Sequence, residues 1–461
     1  MTLTPTVPPS GGVQLKLGEA LKRAQAHFAK NEFDDAERFA SAIVTKHPRH
    51  VQALAVLAAV ADRRGQTERA IALLQQSLTG AKTDALPLAN LCRALRHAGR
   101  LEEARVAGER AVALEVLPDA LADLADVYVA LGEGARARSL FERAVAQRPA
   151  LARAHMGLAQ VLLADGEFHA GWSEYEWRYK LPNTRDVLPK FKQPQWNGMR
   201  LTSSRLLIVA EQGYGDCFQF ARYLPMVSER VKDVFLGAGA EINPVLKSVK
   251  GSFICYERWE QIPSFDFQIT LSSLPLVFGT TLETIPAAVP YLFAETAKTD
   301  AWRAKLDGVA QGRKTVGLVW QGRPTHPNDR VRSVALGHLT RLLELDNILP
   351  VSLQVGAGCE QLKQHPLKSR VFDPSGELKD FSDTAALISA LDCVVTIDSA
   401  IAHLTGGLGR PGFVMLPKAG EWRWLRERSD SPWYPTLELV RQGPDARWDS
   451  VVSRLVDRLR A

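Results

Sequence analysis

The stretch "RLLIVAEQGYGDCFQFARYLP", residues 205–225, decides the fold class of the larger part of this chain. Its first half, "RLLIVA", is an apolar run without polar alternation, the pattern of a strand buried on both faces in a parallel sheet. A glycine-bearing turn follows, then a mostly apolar segment that predicts a helix opening beside Asp216. Asp216, with Gln219 three residues on, can cap that helix in a capping-box-like pair. At a strand end facing a cleft, the same carboxylate can also accept a proton from an attacking hydroxyl. The two uses compete for the same oxygens, and on the residues alone both stand.

Working outward, the pattern of short apolar strands and helices continues to the end of the chain. Strands are expected at 205–210, 233–238, 253–257 and 265–271, and again at 315–320, 348–354, 392–398, 412–417 and 437–441. Helical segments between them imply two parallel sheets. The polar helical stretch 295–314 reads as the connection, and "RWDSVVSRLVDRLRA" as a closing amphipathic helix. The expected domains are a first α/β half at 195–300 and a second at 312–461. Two such halves place a ligand cleft at the carboxyl ends of their strands, so chemistry is expected just after strands.

Three further motifs fall there. In "TIDSAIAHLTGGLGRP" (396–411), Asp398, Ser399 and Ala400 open a helix that carries His403, and its first N–H groups suit a diphosphate. The alternative is a satisfied buried histidine with a glycine cap. The loop "GLVWQGRPTHPNDRVRS" holds Gly322, Arg330, Arg332 and Ser333, with arginines able to clamp phosphate; its plain alternative is solvated surface. The segment "KAGEWRWLRERSDSPWYP" (418–435) either covers a nucleotide base or fills an apolar seam. Gly215, Gln219, Trp320, Lys418 and Trp422 are the residues placed for base or sugar contacts.

Upstream, residues 17–183 repeat. Asn31, Gly65, Gly99, Gly132 and Gly166 recur at spacings of 34, 34, 33 and 34 residues, each followed five residues later by Ala36, Ala70, Ala104, Ala137 or Gly171. The first column ends a helix in the left-handed conformation, and the second lets the next helix pack closely. This is the period of tetratricopeptide repeats, whose stacked faces hold a peptide or a protein partner. The cluster Trp172, Tyr175, Trp177 and Tyr179 is expected to seal the last repeat; a sugar-stacking platform is the other reading.

Composition bounds the rest. The net charge of +6 comes without a Lys/Arg block, so no nucleic-acid partner is expected. Five scattered cysteines show no metal-ligand spacing, so neither a zinc site nor a disulfide framework is expected, and a reducing, cytoplasmic setting is. Residues 1–16 read as a loose tail, not a leader, and no apolar run is long enough for a membrane span. A dinucleotide fingerprint, a P-loop, a G-x-S-x-G elbow and an H-E-x-x-H are all missing, as is an Asp-x-Asp metal motif.

Strand–"GYGD"–helix in the first half with "DSAIAHLTGGLGRP" in the second resembles the heptosyltransferase-type GT-B glycosyltransferases. With the repeats, "GWSEYEWRY", "RVRS" and "DSPWYP", the whole chain is similar to bacterial repeat-fused glycosyltransferases, including flagellin-modifying enzymes, and to protein O-GlcNAc transferases in architecture. The resemblance implies a repeat superhelix followed by a GT-B pair of Rossmann-like domains. It implies Asp216 as base, with Asp398, Ser399, Ala400 and His403 as donor contacts. The implied activity is metal-independent transfer from a nucleotide-sugar, used as substrate with no cofactor, to a hydroxyl on a protein docked by the repeats. An inactive assembly scaffold is the rival reading. A sugar-phosphate epimerase, which shares the architecture, is a further one.

Overall fold

The computed structural model describes residues 6–7, 15–79, 84–185, 188–326 and 328–460. The chain divides into two compact units, Met1–Val161 and Leu162–Ala461.

The first unit is built of antiparallel helix pairs: Leu17–Ala29 with Phe33–Lys46, Val51–Arg63 with Thr67–Ser77, Ala85–Ala98 with Leu101–Leu114, and Pro118–Leu131 with Gly134–Gln147. The expected turn column sits between partners. Asn31, Gly65, Gly99 and Gly132 all have positive φ, from 63° to 83°, the conformation in which a helix end closes on itself. After Gly99, for example, the Arg100 N–H reaches back to the Leu95 carbonyl at 2.9 Å. Ala36, Ala70, Ala104 and Ala137 are buried where partners cross. Where a loose tail was expected, Thr6–Val7 pairs antiparallel with Leu15–Lys16; the remainder of residues 1–14 lies outside the described residues.

The second unit carries two all-parallel sheets. In the first, β1 (Leu201–Val209), β2 (Val231–Gly237), β3 (Ile254–Tyr256) and β4 (Phe267–Thr270) lie in the order β3-β2-β1-β4. In the second, β5 (Lys314–Leu318), β6 (Ile348–Ser352), β7 (Cys393–Ile397), β8 (Gly412–Leu416) and β9 (Leu437–Arg441) lie in the order β9-β8-β7-β5-β6. Leu206, Leu207 and Ile208 are fully buried, as a two-faced central strand requires. In each sheet the strand order reverses once, between β1 and β4 and between β5 and β7. Crevices at such reversals, at the carboxyl ends, are where open α/β sheets bind ligands. No helix among the described residues is long and apolar enough to cross a membrane.

The aromatic cluster before the first sheet is a seam. Trp172, on helix Phe168–Tyr175, is buried edge-on against Trp422 at 5.3 Å and Trp433 at 6.4 Å, and its indole N–H donates to the Thr280 carbonyl at 3.1 Å. Next to it Arg178 is buried and donates to Thr270 Oγ1 at 2.9 Å, Ser273 Oγ at 2.6 Å and Glu211 Oε1 at 3.3 Å. That network ties the turn 176–180 to the ends of β1 and β4. The sugar-platform reading therefore fails for Trp172 and Tyr175, which have no open face.

Candidate active site at the strand ends

β1 ends at Val209, and the chain must turn sharply to begin the helix Tyr214–Phe220. Gln212 takes up the turn in the left-handed region, at φ 71°, a conformation that non-glycine residues adopt under constraint and often beside functional groups. The helix then opens at Gly213, whose N–H donates to Asp216 Oδ2 at 2.8 Å. This is half of a capping box: Gly213 has no side chain to return the bond, and Gln219 plays no part in it. The other carboxylate oxygen, Oδ1, accepts from Arg423 Nη2. Each oxygen of Asp216 thus has one partner and a lone pair remaining.

The helix start of the second half, Ala400–Gly407, lies against this turn. Ser399 is its N-cap, accepting from the Ile401 N–H at 3.3 Å. A Cβ at Gly215 would stand 2.7 Å from His403 Cδ2 and 3.4 Å from the Ala400 Cα; only glycine allows the two helix starts to meet. His403, expected to face the cleft, meets Gly215 at the junction of the halves but is buried there. Only 4% exposed, it shares a 2.9 Å hydrogen bond with the Tyr434 hydroxyl and stacks on Trp424. Burial, reinforced by the charges of Arg423, Arg222 and Arg332, pushes its proton affinity well below the ordinary imidazole value, so it is a neutral packing group. The larger aromatic neighbours, Trp424 and Tyr434, hold it inward.

The loop after β5 delivers Arg332, on the short helical turn Asp329–Arg332. Its Nη1 donates to the Asp398 carbonyl at 3.1 Å, while its buried Nε makes no hydrogen bond and lies 3.6 Å from Asp329 Oδ1. Ser333 accepts from the Gly322 N–H and donates to Asp329, both at 2.9 Å, and so folds the loop. A Cβ at Gly322 would meet Asp329 and Arg332. Arg330 and Lys418 are exposed. Three residues placed for ligand contacts are instead interior. Trp320 is buried with its indole N–H on the Gly358 carbonyl at 3.2 Å; Trp422 lies in the seam; Gln219 Oε1 is taken by Arg423 Nε at 2.6 Å. Each sits inside a strand-end or helix position whose side chain points to the core.

Two residues carry more than their sequence context suggested. Arg423 is buried, reaches Asp216, Gln219 and Glu421, and lies over the Trp422 ring at 4.2 Å. Arg222, also buried, donates to the Gln219, Pro286 and Trp433 carbonyls at 2.9, 3.2 and 2.8 Å and is ringed by Tyr291, Trp433 and Tyr434. The signal for the first was present in "EWRW", where charged residues alternate with tryptophans that must be buried. In "FARYLP" the second had no comparable mark.

The repeats match known protein families. Residues 21–85, 85–107 and 118–161 match tetratricopeptide-repeat families. Protein FlbA of Caulobacter vibrioides is 28% identical over 471 residues, covering 94% of this chain and 76% of its own. Among solved structures, the MamA protein is 21% identical, with 38% of this chain and 97% of its own covered at a TM-score of 0.30. The E. coli ADP-heptose LPS heptosyltransferase II is 15% identical, with 56% and 97% covered at a TM-score of 0.40.

Proposed function

We propose that the chain is a repeat-fused glycosyltransferase of the GT-B kind, moving a sugar from a nucleotide-activated donor to a hydroxyl, without a metal. One observation carries this reading. Asp216, Ser399 and Arg332 come from three separate strand ends, and two strand-order reversals converge on them. A proton acceptor then stands opposite a helix start and a guanidinium.

In the proposed step, Asp216 takes the proton of the acceptor hydroxyl as its oxygen forms the new bond to the anomeric carbon. The bond from that carbon to the diphosphate breaks, and its electron pair leaves on the phosphate oxygen. The helix start at Ser399 and the Arg332 guanidinium would stabilise that departing charge, because fixed dipoles and cations need no reorganisation there. Arg330 and Lys418, exposed at the same ends, supply further positive charge. The tetratricopeptide match supports a protein acceptor, flagellin among the candidates, docked by the repeats and so concentrated at the site. The setting we propose is cytoplasmic, where nucleotide-sugars are made.

The test is a thermal-shift panel with UDP, GDP, ADP and CMP, since a ligand at 100 times its Kd stabilises the native state by about 2.7 kcal/mol. One nucleotide should raise the Tm, and Arg332→Met should abolish the rise. No shift with any nucleotide would favour the scaffold reading.

A further inference from the structure

The turn Trp422–Trp424 brings a second carboxylate to Asp216. Glu421 caps this turn, Oε2 accepting from the Arg423 N–H at 3.0 Å, and its Oε1 accepts from Arg423 Nη1. Arg423 Nη2 is on Asp216 and its Nε on Gln219 Oε1. A single guanidinium therefore lies between two carboxylates from opposite halves, and a third group fixes its plane. None of its five N–H donors could be replaced by a lysine ammonium without losing one of these bonds.

We propose that Glu421 is a positioning residue that sets the basicity of Asp216 by competing with it for the guanidinium of Arg423. The proposal rests on reading Asp216 as the proton acceptor. With Glu421 protonated, Arg423 serves Asp216 alone; with Glu421 ionised, the positive charge is divided and a second negative charge stands nearby.

The surroundings of Glu421 favour this. Its side chain keeps 28% exposure, so protons reach it. Burial, with Asp398 and Asp216 adding like charge against the opposing pull of Arg423, pushes its carboxyl up to about 7. The loop after β5 brings Arg332 and His326; burial and Arg332 push the His326 imidazole below its ordinary value against the pull of Asp398, Asp329 and Asp216. Asp398 closes β7; Arg441, at the end of β9, donates to the Trp424 and Leu425 carbonyls at 3.2 and 3.0 Å. Tyr175, raised by burial, and His403, lowered by burial, both stay neutral around pH 7.

The experiment is carboxyl 13C NMR of the full chain, labelled at Glu Cδ and Asp Cγ. The two signals are assigned by their loss in Glu421→Gln and Asp216→Asn, which keep the shape and hydrogen bonding of each site. Asp216→Asn should lower the Glu421 midpoint by about one pH unit, tenfold in proton affinity. Arg423→Lys, which cannot hold both carboxylates in one plane, should raise it. A Glu421 midpoint that stays fixed in Asp216→Asn would overturn the proposal. These titrations need no substrate, so they judge the sharing of Arg423 whether or not Asp216 proves to be the base. With a donor in hand, transfer by the wild type should climb as pH rises through about 7, and Glu421→Gln should lose that climb. A climb retained by the variant would likewise overturn it.

Discussion

Both units set a carboxylate against arginines, and they do it over different distances in sequence. In the repeat unit Asp123, with 2% side-chain exposure, takes Arg93 at 3.5 Å and Arg153 at 2.9 Å, each 30 residues away. At the strand ends Asp216 takes Arg423, 207 residues away. The first pairing is a product of the repeat: stacking sets the first helices of neighbouring pairs side by side, so residues about one turn short of the repeat period meet. The second exists only once both sheets have formed and their carboxyl ends face each other. The difference separates what holds an array together from what assembles a site.

The largest expected effect sharpens this contrast. Arg423→Ala leaves Asp216 and Glu421 facing each other without their cation. Breaking such a buried pair costs about 3–5 kcal/mol. Arg153→Ala removes a partly exposed arginine that also bonds Asp119, but Asp123 keeps Arg93, and a smaller loss of about 1–3 kcal/mol is expected. Urea denaturation of the two variants checks the order, and equal losses would break the comparison. Next comes Gly215→Ala, which forces a methyl group into His403. The expected cost is about 1–3 kcal/mol, read from the same curves, with the repeat unit unaffected. In the array, Gly99→Ala places a side chain at φ 76° and should cost about 1 kcal/mol.

The remaining effect is a slope with pH. The folded chain binds a proton at Glu421 more tightly than the ordinary carboxyl value of 4.5 allows, up to about 7. This stabilisation is present below 4.5 and is lost as pH rises through about 7. Glu421→Gln should therefore flatten the decline of Tm between those pH values, measured by differential scanning calorimetry against the wild type.

Much of the fold was legible because it is written locally. The column Asn31, Gly65, Gly99 and Gly132 marks backbone positions with φ above zero, and a period of that kind needs no knowledge of tertiary contacts. The strands were equally plain, since a strand buried on both faces is an unbroken apolar run. The site was legible only in part. Asp216, Ser399 and Arg332 follow strands, and strand order brings strand ends together. The inward turn of His403 was not legible, because it depends on Trp424 and Tyr434, which sit on a separate segment. Nor was the burial of Gln219 and Trp320, whose side-chain directions are set by Arg423 and Gly358. For Arg423 the run "EWRW" marked a charge among buried tryptophans, but not its partners Asp216 and Gln219 in the other half of the unit.

The central claim is that Asp216 is a base as well as a helix cap, and one variant separates the two uses. Asn at this position still accepts the Gly213 N–H and caps the helix, but it cannot take a proton. Single-turnover transfer from the nucleotide-sugar whose nucleotide shifts the Tm should fall about 10²–10⁴-fold in Asp216→Asn, with donor affinity and Tm close to wild type. Transfer within tenfold of wild type would make Asp216 a cap alone and contradict the account.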